Sequence, residues 1–169
     1  VGAASVRAAV TAFLRAQSIP GVGHVFSEWP YYVANATAFD KNNPSLLGQC
    51  ALMVHLWQTH ESRISLPAVT GQKARVYVVS LGILYRYMIP NNAGVQPDQD
   101  LWVAGLDAII DGLRVAIESD PNLGNAAVIW QAGQEPGDLS TEIDLPVRDG
   151  GYVRILARMD MHVTEIVTA

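Results

Sequence analysis

Few residues in this chain have types and spacings that could do chemistry. His60-Glu61 opens like the helix of a zinc protease, where two histidines four residues apart hold the metal and the glutamate serves as base. Ile64 stands where the second histidine is needed, and the surrounding pattern is that of a strand. His55 and His60 fall on opposite faces of such a strand and make a poor metal pair. Pro20-Gly21-Val22-Gly23-His24 resembles part of a phosphate-binding loop, but the third glycine is absent and the segment leads into a strand, not a helix. A turn accounts for it. Asp107, Asp111 and Glu118 sit at helical spacing, and the first two could share a face as general acid–base work requires. A solvated helix face explains them more cheaply. Ser5, Ser27, Ser62 and Ser65 lack the glycines of a nucleophile elbow. Cys50 opens an apolar strand without a local activating signature, which reads as a buried thiol. The tyrosines and tryptophans suit a core or an interface as well as a ligand cage. No catalytic, cofactor-binding or metal-ligating constellation survives.

The elements that position these residues follow from periodicity. Val6, Val10, Phe13 and Leu14 form a helical stripe, with Ser5 as the expected cap and a helix to about Gln17. Ile19-Pro20-Gly21 stops it, and His24–Trp29 reads as a short strand. Pro30–Gly48 is irregular, with a short helix near Val33–Phe39 as one option; Tyr31, Tyr32 and Phe39 give it packing surface. Cys50–His60, continuing through Arg63–Leu66, is a strand apolar on both faces, as a central position demands. Lys73–Ile89 is a second long strand, with Tyr77, Val79, Leu81, Ile83, Tyr85 and Tyr87 on one face. Gly82 in its middle is expected to mark a bulge or a bend. Together these make a long β-hairpin with its tip near Thr70-Gly71.

Asp98 or Asp100 starts the strongest helix, where Trp102, Leu106, Ile109, Ile110, Leu113 and Ile117 keep a three-four spacing. Asp120-Pro121-Asn122 and Gly124 end it. Ala126–Gln131 and Leu139–Leu145 read as strands, and Asp149-Gly150 as a hairpin turn. The last stretch, Gly150–Val167, alternates strictly. Val153, Ile155, Ala157, Met159, Met161 and Val163 make one apolar set, while Arg154, Arg158, Asp160, His162 and Thr164 dominate the other. At roughly 3.3 Å per residue it spans about 50 Å, against a diameter of about 40 Å for a compact chain of this length. It must bend or run past its own core, and a strand that overhangs its domain is open to a neighbour. The expected fold is α+β: a mixed, mostly antiparallel sheet with two helices packed on one face and a long projecting β-hairpin, in a single domain over residues 1–169.

Bulk properties narrow the function further. Of 169 residues 50% are hydrophobic, so a real core is expected. A net charge of −5, with 11 Lys and Arg against 16 acids, argues against general nucleic-acid binding. The single cysteine excludes an internal disulfide. No apolar run is long enough to span a membrane, and the first residues lack the pattern of a signal peptide. Candidate contact residues remain. Arg63, Lys73 and Arg75 flank the hairpin, and Arg154, Arg158 and Asp160 occupy the polar face of the final strand. Two readings of the last three stand open: a cross-strand ion-pair ladder, or contact with a neighbouring subunit.

The order and texture of these segments resemble the tail terminator proteins of long-tailed bacteriophages, the group that includes the minor tail protein U of phage lambda. The likeness lies in the helix ending at Ile19-Pro20-Gly21, the strand through Val25 and Trp29, and the long strand pair ahead of Leu101–Glu118. It continues through Asp120-Pro121-Asn122-Leu123-Gly124 into Ala127-Val128-Ile129-Trp130-Gln131, and ends with Met161-His162-Val163-Thr164-Glu165-Ile166-Val167. The resemblance implies a virion structural protein without enzymatic activity or cofactor, assembled in the host cytoplasm. It implies a six-fold homo-oligomeric ring that caps the tail tube and stops its growth. Its partners would be the tail tube protein and a head-completion or connector protein, with DNA passing through the lumen without specific binding. Another connector or tube protein, a small α+β enzyme or ligand-binding domain, and a nucleic-acid module with Arg63, Lys73 and Arg75 on phosphates are the alternatives.

Overall fold

The structure is a computed structural model that describes residues 2–27, 50–65, 72–88, 99–124, 129, 131–132, 139–149 and 152–168. Helix α1 spans Ala3–Ala16 and presents Val6, Val10, Phe13 and Leu14 to the core. It starts earlier than expected. Gly2 is the N-cap and no side chain caps it; Ser5 lies inside the first turn, its own amide bonded to the Gly2 carbonyl. Ala3 and Ala4 are strong helix formers, and they carry the helix two residues past the residue that looked like its cap. Ile19-Pro20-Gly21-Val22 closes with a Val22 N–H to Ile19 carbonyl bond of 3.2 Å, and Gly21 takes φ +82°. Proline then a positive-φ glycine is the type II turn signature.

Strand β1 (Val22–Phe26) pairs parallel with β2 (Cys50–Ser65). β2 runs antiparallel to β3 (Gln72–Met88), and β3 antiparallel to the final strand β7 (Tyr152–Thr168) along its whole length. The outer side of β7 is taken by three short antiparallel strands: β4 (Gln131–Ala132), β5 (Leu139–Ile143) and β6 (Val147–Asp149). Helix α2 (Gln99–Ser119) connects the two halves of the chain. The fold is therefore α+β, a mixed and mostly antiparallel sheet with two helices among the described residues. The segments expected at Val33–Phe39 and at the Thr70-Gly71 tip, and most of Ala126–Trp130, lie outside the described residues.

Both helices cover one face of the sheet. Leu52, Ile83 and Ala157 share one row of the register, and Val54, Leu81 and Met159 the next. These belong to the same buried cluster as Val10 and Leu14 of α1 and Leu106, Ile109, Leu113 and Ile117 of α2. Fully burying each such side chain is worth about 1.5–3 kcal/mol before entropy. The other face carries only a small apolar cluster: Ala51, Met53 and Leu84, with Phe26 and Leu156 against it.

Two expectations need correction. Gly82 sits in unbroken register, opposite Met53 on one side and Arg158 on the other; the irregularities fall in β2 between His55 and Gln58 and between Gln58 and Ser62. The glycine leaves space above the sheet instead of bending it. Up to Thr164 the final strand is not a ribbon with a free edge. It is an inner strand, with β3 on one side and β4, β5 and β6 on the other. From Glu165 to Thr168 its described partner is β3 alone; before that, the edge open to a neighbour lies one strand further out.

Candidate functional site

The polar face of the sheet is organised in rows. One row holds His55, Ser80, Asp160 and Ser140, from β2, β3, β7 and β5. The next holds Met53, Gly82, Arg158 and Glu142. The Ser80 hydroxyl donates to an Asp160 carboxylate oxygen. Arg158 Nη2 lies 2.9 Å from Asp160 Oδ2 and 3.6 Å from Glu142 Oε2. Because Gly82 carries no side chain, a cleft of about 200 Å³ opens beside Arg158, lined by Ser80, Gly82, Glu142, Asp144 and Leu156.

Serine, histidine and aspartate in one row raise the question of nucleophilic catalysis. A catalytic relay needs the histidine between serine and carboxylate, so that imidazole takes the hydroxyl proton. Here Ser80 is the middle member, its proton points to Asp160, and it is only 3% exposed. The Ser80–Asp160 bond ties β3 to β7 and serves the sheet. Among the described residues, no group of three His, Cys, Asp or Glu side chains could hold a metal ion. Cys50 is fully buried, and burial pushes its thiol far above the ordinary range, which removes the reactive thiolate.

The anticipated contact residues divide into two places. Arg158 pairs with Asp160 within its own strand and across the sheet with Glu142 on β5, the second being the cross-strand contact of a ladder. Arg154 is opposite Arg86 of β3 on one side and Val147 of β6 on the other. Arg63 and Arg75 are brought into one register row, which continues to Glu165 on β7, while Lys73 is opposite Ser65 and Val167.

Three features escaped the sequence. Glu165 has the parity of the apolar set on β7 and is fully buried. It accepts a 2.7 Å hydrogen bond from the Tyr77 hydroxyl. Burial, and then this bond, push the Tyr77 hydroxyl pKa upward, while nearby Arg75 works the other way. The signal was available, because Glu165 continues the odd-numbered series that runs from Val153 to Val163. The His55–Ser80–Asp160 row depends on register between three strands, which no single segment encodes.

The third feature is the outer edge. Leu139, Thr141, Ile143 and Leu145 alternate as a buried strand face would, yet Ile143 is 51% exposed, Leu145 86% and Val147 50%. No protein-family model matches the chain, and no curated protein matches it. Among the described residues no helix is long and apolar enough to cross a membrane.

Proposed function

We propose that this chain is a structural virion protein that forms a ring at the head-proximal end of a phage tail tube, ending tube growth and joining tail to head. The observation that carries the assembly part is the outer edge of the sheet, where three large apolar side chains of one short stretch stand in solvent. Clustered exposed apolar groups at an open sheet edge mark a contact surface. The tail-terminator part rests on the resemblance in element order, with two helices on one face of a mostly antiparallel sheet. A net charge of −5 suits a lumen through which DNA slides without adhering.

Negative-stain imaging of the purified protein is the test. Annular particles with a central hole are expected; a field of single small particles at every concentration would remove the ring. A small-ligand domain is the second reading, supported by the cleft beside Arg158. That cleft, at about 200 Å³, falls below the roughly 300–1,000 Å³ usual for small-molecule sites.

A further inference from the structure

We propose that copies of this chain join head to tail through the two opposite ends of the sheet, with Leu145 of one copy seated in a cleft between α1 and β1 of the next. The inference rests on the ring reading and names the contact that would build the ring.

The projecting half is a β-bulge. Ile143 is opposite Ala157 and Val147 is opposite Arg154, so three residues on the edge face two on β7. The Asp144 N–H still bonds the Leu156 carbonyl at 2.9 Å; Leu145 and Pro146 carry the excess. A bulge at a sheet edge re-aims a side chain and ends regular pairing. Leu145 is thereby left 86% exposed, and Pro146 has no N–H to offer a passing strand. The contact is made by side chains, not by continuing the ladder.

The receiving half is at the other end of the strand order, beyond β2. A cleft of about 330 Å³ lies there, with buried Leu14 and Val25 at its floor and Val22, Gly23, Gln17, His24 and Arg15 around it, Arg15 donating to the Val25 carbonyl at 3.0–3.1 Å. The two ends also differ in charge. Residues 2–27 contain Arg7 and Arg15 and no Asp or Glu, whereas residues 139–149 contain Glu142, Asp144 and Asp149 against Arg148, with Glu142 paired to Arg158. Like ends carry like charge, which disfavours a two-fold contact; unlike ends attract. A contact between different surfaces of identical subunits closes into a ring when the rotation permits.

The test uses two full-length variants, Leu145→Glu and His24→Glu, at exposed positions where folding is expected to survive, checked by circular dichroism and melting temperature. Each alone should lose the ring and sediment as a monomer. Mixed in equal amounts they should give dimers and nothing larger, because one intact bulge and one intact cleft remain. If both variants keep the wild-type ring mass, the junction is elsewhere and this inference falls while the ring stands. If each is monomeric and the mixture stays monomeric, the head-to-tail arrangement is wrong. A wild-type protein that is monomeric at every concentration overturns the ring and this junction together.

Discussion

Glu165 has an unusual position for a carboxylate: fully buried, on the face that faces the helices, with the Tyr77 hydroxyl on one oxygen. Removing that donor leaves a buried acceptor short of a partner, which costs about 1–3 kcal/mol. Tyr77→Phe should therefore lower stability by that amount in urea unfolding. The same pair gives the protein an alkaline limit. The Tyr77 pKa is raised in the folded state, so above about pH 10 the unfolded chain releases a proton that the folded chain retains. Stability is complete below the unfolded value and declines as pH rises toward the folded one. The wild type should lose stability over that interval and Tyr77→Phe should lose less, as followed by thermal melts across pH. Cys50 is silent for a related reason. Its thiol is fully buried and held protonated, so it should resist an aromatic disulfide reagent in the native protein and react promptly once urea unfolds it. The burial of Cys50 could be read from the apolar strand it opens. That of Glu165 was missed because a carboxylate on an apolar parity looks like the end of the strand.

Among the elements, α2 and the final strand were legible because their periods are long and unbroken. Leu106, Ile109, Ile110, Leu113 and Ile117 are all buried, as their three-four spacing demands. The odd-numbered residues of β7 line the core for the same kind of reason. Sequence alone did not show how close α2 comes to the sheet. A Cβ on Gly105 would collide with the hydroxyl of Tyr85, and one on Gly112 would lie 3.1 Å from Ile19 Cγ2. Gly105→Ala would gain about 1 kcal/mol of helix propensity, but displacing a core aromatic costs typically 1–3 kcal/mol. The variant should be destabilised on balance, and Gly105→Ala combined with Tyr85→Phe should recover part of the loss, both read from denaturant midpoints. The short strand at Leu139–Ile143 shows the opposite limit. Its alternation announced a strand correctly, yet period alone does not say whether another layer covers the apolar side. Its position as the outermost strand leaves Ile143 and the adjoining Leu145 in solvent.

In the proposed assembly, the polar face of β7 and the edge beside it matter most. Arg158 is 42% exposed and its partner Glu142 75% exposed, so that ion pair contributes only about 0–1 kcal/mol to folding; the other partner, Asp160, is 23% exposed. Arg158→Glu should lower the melting temperature only slightly, through repulsion with Asp160. It should reduce the fraction assembled, since it adds a negative charge beside Glu142 and Asp144 and disturbs the surface next to the bulge. Equal loss of folding and assembly, or of neither, would count against a role for Arg158 in contacts. β3 and β7 pair with each other from end to end, and exposed Ile143, Leu145 and Val147 lie on the short strands outside them and the bulge that joins these.

Light-scattering mass of the purified wild-type protein across a hundredfold range of concentration bears on the ring most directly. The proposed six-fold ring predicts one dominant species at six times the subunit mass of 18.3 kDa. A single species at 18.3 kDa over the whole range would mean that the exposed edge serves no second copy, and the assembly role would have to be abandoned.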